Sequence, residues 1–285
     1  MQHAQATHFR KMNGLGNDFV VFDARARPIA MDEAKARAIA DRSTGIGCDQ
    51  LIVLEPSKTA DVTMRIWNNE GFEVESCGNA SRCIADLLFD EKHVTRATID
   101  TKGGFLVAEK GGEKLVTVDM GAPRFGWKDI PLSEPFADTR HIELQVGPID
   151  APLIHSPSVV NVGNPHCIFW VKSLDVVDLA KVGPMLEHHP LFPDRANITL
   201  ARVDAPDHAV IRVWERGAGL TKACGTAACA VLAAGHRIKM LKPKARITLP
   251  GGDLILEQRA SDGHILMTGP VTYEFEGELP AHLAV

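Results

Sequence analysis

No stretch of the chain approaches the ~18 unbroken apolar residues that a membrane-spanning helix needs. The first residues, Met1 to Thr7, lack the charged-then-apolar layout of a secretory signal. The expected location is therefore cytoplasmic, with no membrane partner. Basic charge is not in excess: the formal net charge is -5 and the pI is about 6.2. A chain without a basic footprint is a poor match for nucleic acid. Nor is hydrophobicity short: apolar residues make up 45% and charged residues 24% of the 285 positions, which excludes wholesale disorder.

Paired cysteine motifs are also missing. Six cysteines are present, at 48, 77, 83, 167, 224 and 229, but none forms Cys-x-x-Cys. Zinc ribbons and thioredoxin-type motifs are excluded on that ground. Cys77 and Cys83 are six residues apart; on one helix that is ~9 Å along the axis, too far for a disulfide. Cys48, Cys83 and Cys229 are expected to pack as small apolar side chains.

What the chain does have is an internal repeat. Gly16-Asn17 returns 147 residues later as Gly163-Asn164. Arg65-Ile66-Trp67-Asn68 returns as Arg212-Val213-Trp214-Glu215, and Cys77-Gly78-Asn79-Ala80 as Cys224-Gly225-Thr226-Ala227. Gln50 falls opposite Asn197, Thr101 opposite Thr248 and Gly104 opposite Gly251. Trp and Cys are rare enough here for such matches, in one order, to mark a duplicated domain. The expected division is 1–121 with 271–285 as the first domain and 122–270 as the second. The closing segment is expected to pack back on the first half.

The expected fold class is α/β (α+β), with two pseudo-symmetric domains. Segments 62–67 and 209–214 read as strands; Val62, Met64 and Ile66 share one face. Asp32 can cap a helix reaching about Arg42. Its counterpart, about Leu179 to His188, carries a Gly183-Pro184 pair expected to interrupt it. The stretch 223–234 is apolar almost all round and carries no charge, so it reads as a helix buried on every side. The segment after Cys77 is similar, with Arg82 and Asp86 intruding. Each half thus reads as strands wrapped around one buried helix, with the active site in the interdomain cleft.

In both halves a Cys-Gly opens that helix. First-turn N–H groups lack intrahelical acceptors and, with the helix dipole, suit an anion. A cysteine at a helix start is expected to have its thiol pKa lowered toward neutrality. Two such sites facing one another would set two thiols on opposite sides of a carbon and two sets of N–H donors on its carboxylate. That arrangement suits stereochemical inversion: one thiolate removes a proton, and the opposite thiol delivers one.

The motifs Asn13-Gly14-Leu15-Gly16-Asn17-Asp18-Phe19, Gly45-Ile46-Gly47-Cys48-Asp49-Gln50 and Cys77-Gly78-Asn79-Ala80-Ser81-Arg82-Cys83 resemble the diaminopimelate epimerase family. So do Gly163-Asn164-Pro165-His166-Cys167, Glu215-Arg216-Gly217-Ala218-Gly219 and Ala223-Cys224-Gly225-Thr226. The resemblance covers nearly the whole chain. It implies a cofactor-independent, metal-free isomerase interconverting LL- and meso-diaminopimelate, with Cys77 and Cys224 as the acid–base pair. It implies that the backbone of Gly78-Asn79 and Gly225-Thr226 holds the reacting carboxylate. Asn17, Gln50, Asn68, Asn164, Asn197, Glu215 and Arg216 match substrate-binding positions, and His166 and Glu215 match residues that tune the thiols. The expected partner is the small-molecule substrate, with a homodimer left open.

The chain departs from the family pattern at Ala80-Ser81, at Ala227 and at Leu220, where the family often has Gly-Ala, Gly and an acidic residue. Cys48 stands where an apolar residue is usual. Three rivals share parts of this reading. They are a two-thiol racemase for proline or hydroxyproline, a non-catalytic amino-acid binding protein, and a phenazine-type isomerase using a carboxylate. The charged distal end implied by Arg216 and the asparagines disfavours the first, and the matched cysteines disfavour the other two.

Overall fold

The computed structural model describes residues 7–75 and 77–283, so the outermost ends of the expected first domain lie outside the described residues. The chain divides into two compact units, residues 1–118 with 269–285, and residues 119–268.

The first unit opens with β1 (His8–Gly14) and β2 (Asn17–Asp23), an antiparallel hairpin. Its two-residue turn is Leu15-Gly16, both at positive φ (62° and 81°). That geometry matches the right-handed twist of the strands, and it places Asn17 at the first position of β2. Helix α1 (Glu33–Ala40) is capped by Asp32, whose carboxylate accepts the Lys35 N–H. It ends at Ala40, two residues short of the expected Arg42, because Asp41 turns its side chain to the N–H groups of Ser43 and Thr44.

β3 (Gln50–Glu55) runs parallel to β2 and antiparallel to β4 (Val62–Asn68), which also pairs with the short β5 (Glu73–Val74). Val62, Met64 and Ile66 of β4 are buried, as their alternation requires. Helix α2 (Gly78–Lys92) follows, then β6 (Arg96–Thr101), β7 (Gly104–Gly112) and β8 (Leu115–Asp119). β6 lies parallel to β4 and antiparallel to β7. The strand at Thr272–Glu278 pairs antiparallel with β1.

The second unit contains the short pair β9 (Gln145–Val146) and β10 (Ile154–His155). β11 (Ser158–Asn161) and β12 (Pro165–Trp170) are antiparallel. Helix α3 (Leu179–Glu187) precedes β13 (Asn197–Ala205), β14 (His208–Glu215) and β15 (Gly219–Leu220). Helix α4 (Gly225–Arg237) leads to β16 (Lys244–Leu249), β17 (Gly252–Gln258) and β18 (Ile265–Pro270). β12 is parallel to β13 and β14 is parallel to β16, while the remaining neighbours are antiparallel. The Thr272–Glu278 strand of the first unit is β19.

The helix at 179–187 is not interrupted. Pro184 sits inside it, at the cost of one backbone donor, and tertiary packing outweighs that loss. Leu179 and Leu186 are buried in a cluster with Phe169, Ile198 and Leu200. In the central helices, every residue of α4 from Ala227 to Gly235 is buried. α2 buries Asn79, Ser81, Arg82 and Asp86 along with its apolar residues.

The repeat is visible in strand register. Phe19 pairs with Gln50 as His166 pairs with Asn197, and Leu51 pairs with Trp67 as Ile198 pairs with Trp214. The spacing is 147 residues there and at the two helix starts. Beyond the helices it becomes 148, since Val62 pairs with Ile99 but Ala209 with Ile247. The partners of Thr101 and Gly104 are thus Leu249 and Gly252, not Thr248 and Gly251. One extra residue between helix start and strand absorbs the change. A slip within a strand would have turned its buried face outward.

Candidate active site

Cys77 and Cys224 occupy the same structural position. Each is the N-cap of its unit's central helix, in extended conformation (φ -148° and -127°), with no side-chain cap bond. The first intrahelical bonds run from Ser81 N to Cys77 O (2.9 Å) and from Ala228 N to Cys224 O (3.2 Å). Helix geometry leaves first-turn N–H groups without intrahelical acceptors, and here those turns begin at Gly78 and Gly225.

In the first unit, Cys77 is half-buried and its Sγ lies 3.7 Å from Asn17 Oδ1. Asn79, on the first turn of α2, donates from Nδ2 to the same oxygen at 3.4 Å. Asn17 Nδ2 donates to Asp49 Oδ2 at 3.1 Å. Behind them stands an ion cluster. Asp18 accepts from Lys11 at 2.5 Å and from Arg42 at 2.7 Å, and Arg42 also reaches Asp49 at 2.7 Å. Burial opposes ionisation of Asp18, yet Arg42 and Lys11 outweigh it and hold the carboxyl well below the ordinary range. Gln50 lies opposite Asn68 across β3 and β4. Its Oε1 is buried without a hydrogen-bond partner, and Asn68 Oδ1 accepts the Phe72 N–H at 2.8 Å.

In the second unit, Cys224 is 4% exposed and its Sγ lies 3.5 Å from Thr226 Oγ1. Its thiol is pushed well up, chiefly by burial and next by the negative charge of Glu215, against bonds from Thr226 and the Ala227 N–H. The helix start therefore does not lower this thiol toward neutrality, as its position alone suggests. A half-unit helix charge is outweighed by desolvation plus a nearby carboxylate. Glu215 itself accepts a short hydrogen bond from the Thr221 hydroxyl.

His166 is fully buried, with Nε2 2.8 Å from Asn164 Oδ1 and Nδ1 unpartnered. Burial, then the Arg216 charge, pushes its pKa down to about 3, so the ring is neutral. Asn197 is also buried; Nδ2 donates to Pro165 O at 2.9 Å and Oδ1 accepts the Arg216 N–H at 3.0 Å. Arg216 is exposed and donates to Asp194 O at 3.0 Å. A cleft of about 470 Å³ in the second unit is lined by Asp175, Asp178, Arg212, Val213, Leu220 and Thr221, and it meets the site candidates only through Thr221, whose hydroxyl donates to Glu215. Leu220, where the family often has an acidic residue, lines it and is 54% exposed.

Each unit thus assembles its own candidates: Cys77, Asn17, Asn79, Gln50 and Asn68 in one, Cys224, Thr226, Glu215, Arg216, Asn164, His166 and Asn197 in the other. Sequence reasoning did not single out Asp49, Arg82, Thr221 or Glu187. Asp49 and Arg82 stand inside motifs already recognised, so their position beside Asn17 and Asn79 was the available signal. Cys48, Cys83 and Cys229 are fully buried, as expected of packing residues. Among the described residues, no group of three or more His, Cys, Asp or Glu is gathered as a metal site would require, and no helix is long and apolar enough to cross a membrane.

Solved structures show the fold. A probable proline racemase from Agrobacterium radiobacter is 16% identical, with TM-score 0.67 over 96% of this chain and 93% of that one. A Bacillus anthracis phenazine biosynthesis protein of the PhzF family is 18% identical, with TM-score 0.66 over 97% and 99%. Sequence relatives are nearer. A diaminopimelate epimerase of Rhodopseudomonas palustris (strain BisB18) is 54% identical over 271 residues, 94% of this chain and 93% of its own. One from Bradyrhizobium sp. (strain BTAi1) is 50% identical over 98% of both chains. The family model described as diaminopimelate epimerase matches residues 9–126 and 158–274, one span on each side of the repeat. With both helix-start cysteines inside those spans, the chain belongs to the diaminopimelate epimerase family.

Proposed function

We propose that the protein interconverts LL- and meso-diaminopimelate by two-base proton transfer at Cα, with Cys77 and Cys224 as the two bases. The observation that carries this is the shared placement of the two cysteines, each the N-cap of a buried helix and each followed by a buried glycine. A binding protein needs the first-turn donors but has no use for a second, matched thiol.

The chemistry follows from the groups. A thiolate on one face takes the Cα proton, and a thiol on the other returns one, so configuration inverts and the proton count is conserved. Cys224, kept protonated by burial and Glu215, is the donor in this form. Charge building on the substrate carboxylate is met by N–H groups of Gly78 and Asn79 and of Gly225 and Thr226. Arg216 is the donor for the distal carboxylate, because its planar fork matches two oxygens. Asn17, Gln50, Asn68 and Asn164 supply amides, which can serve ammonium and carboxylate alike. Asn197, with both amide ends on backbone, acts by holding Arg216 and Pro165 in place. His166 and Glu215 set the protonation of the thiols. A cytoplasmic location accompanies this reading, and the reaction asks for no cofactor.

The test is incubation with LL-diaminopimelate in D₂O, following deuterium entry at Cα and appearance of the meso isomer. Epimerisation with solvent deuterium, lost in Cys77→Ser and in Cys224→Ser, supports the assignment. No exchange and no meso product from folded, reduced protein overturns the substrate, and proline is tried next.

A further inference from the structure

Arg82 is the largest fully buried side chain among the described residues, and it has no place in the chemistry above. It lies on α2 one turn after Asn79, and helical side chains lean toward the N-terminus, so its guanidinium reaches back. Its Nη2 donates to Asn79 Oδ1 at 2.9 Å. A guanidinium has donors and no acceptor, so the Asn79 atom facing it must be oxygen. That turns Asn79 Nδ2 toward Asn17, where it meets Oδ1 at 3.4 Å.

The other end is fixed the same way. Asp49 collects donors from the Asp18 N–H (3.1 Å) and Arg42 (2.7 Å), as an ionised carboxylate does. An ionised carboxylate only accepts, so the Asn17 atom facing it must be Nδ2, at 3.1 Å. Asn17 is thereby oriented twice, and its oxygen is left 3.7 Å from Cys77 Sγ.

We propose that Arg82 and Asp49 are positioning residues that polarise an amide relay, Asn79 to Asn17, so that a carbonyl oxygen and not an amide nitrogen faces the Cys77 thiol. An oxygen there accepts the S–H that Cys77 carries once it has taken the Cα proton, and holds that thiol in one orientation. An inverted amide would present N–H and favour the thiolate instead. The charged groups around this thiol's relay are Arg82 on its own helix and Lys11, Asp18, Arg42 and Asp49 from β1, β2 and the loop before β3. The proposal rests on the reading of Cys77 as an acid–base residue.

A double-mutant cycle tests it. Arg82→Gln alone is expected to lower kcat by about tenfold with little change in KM, a coupling of ordinary size for residues in one network. In the Asn79→Ala background the same change is expected to cost less than about twofold, because the relay carries the influence of Arg82 on Cys77 through that amide. Equal losses in both backgrounds overturn the proposal, since a structural role or a direct field effect of the cation does not need Asn79. Arg82→Lys guards against misfolding: a donor-only cation facing Asn79 is expected to hold kcat within about threefold of wild type. An Arg82→Lys protein that melts like wild type yet is as impaired as Asn79→Ala also overturns it. Should wild type not turn over diaminopimelate, the functional reading fails by itself. The same cycle read as the rate of Cys77 alkylation by iodoacetamide, peptide by peptide, then decides the relay: Arg82→Gln must change that rate only when Asn79 is present.

Discussion

Asn197 Oδ1 accepts the backbone N–H of Arg216 at 3.0 Å, and the other end of the same amide donates to Pro165 O at 2.9 Å. One 2%-exposed side chain therefore ties the strand that carries His166 to the turn that carries Arg216. Asn197→Ala strands the buried Pro165 carbonyl, at about 1–3 kcal/mol for a buried group left unmade, and removes the acceptor of the half-buried Arg216 N–H bond. The expected result is a lower urea midpoint and a raised KM, since the loosened group is Arg216. An unchanged KM in a destabilised variant would show that Arg216 is held by Asp194 O alone.

Glu215 raises the Cys224 thiol pKa because a carboxylate repels the thiolate. Glu215→Gln removes that charge and keeps an oxygen for Thr221. The thiol pKa falls, so at fixed pH more thiolate is present and Cys224 alkylates faster. The check is the pH dependence of Cys224 alkylation read by peptide mass; an unshifted midpoint would leave burial as the whole cause. Turnover is expected to change in the same variant, because the Cys224 proton is then held less tightly.

Four of the five buried thiols bear on stability at alkaline pH. Burial pushes Cys48 up to about 12 and raises Cys83, Cys167 and Cys224 as well. For a group whose folded pKa is raised, the folded state holds its proton after the unfolded state has released it. The stabilisation is full below the ordinary thiol value and is lost progressively as pH climbs from there to the raised folded value, about 12 for Cys48. Each such thiol contributes a slope of about -1.4 kcal/mol per pH unit above roughly pH 9. Melting temperature should therefore fall steeply above that pH, and Cys48→Ala should flatten the fall between pH 9 and pH 11. A slope unchanged by Cys48→Ala would mean that this thiol ionises equally in both states.

Lys11 and Asp18 form a buried pair at 2.5 Å, with side chains 6% and 12% exposed. Lys11 also donates to the Gly47 carbonyl. Asp18→Asn leaves the ammonium without its counter-charge, a loss of about 3–5 kcal/mol for a buried pair broken on one side. Lys11→Met with Asp18→Asn should recover part of that loss, because no charge then stays buried alone. Denaturant midpoints of the two single variants and the double variant decide it.

How much of this could be read beforehand differs by residue. The helix starts at Cys77 and Cys224 were legible because cysteine and tryptophan are rare in this chain and recur at one spacing. β4 and β14 were legible because half their residues face a core, which forces alternation. β19 was less legible: Tyr273 and Phe275 alternate with Glu274, Glu276 and Glu278, but both faces are largely exposed, so the alternation marks no core face and only its pairing with β1 places it. The continuous helix through Pro184 was hidden for a related reason. Local propensity opposes it, and the packing that overrides propensity comes from residues distant in sequence. Asp49 and Arg82 stand inside recognised motifs, Arg82 as a charge in a helix read as buried, but their partners Asn17 and Asn79 show only in the fold. The thiol of Cys224 defied its helix position because burial depth is a property of the whole unit and cannot be read from one Cys-Gly.

Gly183 and Trp214 join that hidden packing to the site. A Cβ at Gly183 would lie 2.5 Å from two atoms of the Trp214 ring, closer than any real contact, so ring or helix must move. Alanine gains about 1 kcal/mol over glycine in a helix interior, but an overpacked contact costs about 1–3 kcal/mol, so the steric term wins. The ring is not free to retreat. Its Nε1 donates to Glu187 Oε2 at 2.7 Å, and Glu187 Oε1 accepts the Gly217 N–H at 3.0 Å. Displacing Trp214 therefore pulls on the turn from Glu215 to Gly217, which carries the carboxylate beside Cys224 and the guanidinium of Arg216. Gly183→Ala is expected to lower both the urea midpoint and kcat, and to shift tryptophan emission. Trp214→Phe, with a smaller ring and no Nε1 bond, should tolerate Gly183→Ala at less than half the stability cost. If Gly183→Ala costs the same with either ring, the helix has yielded instead of the indole, and turnover should then be spared.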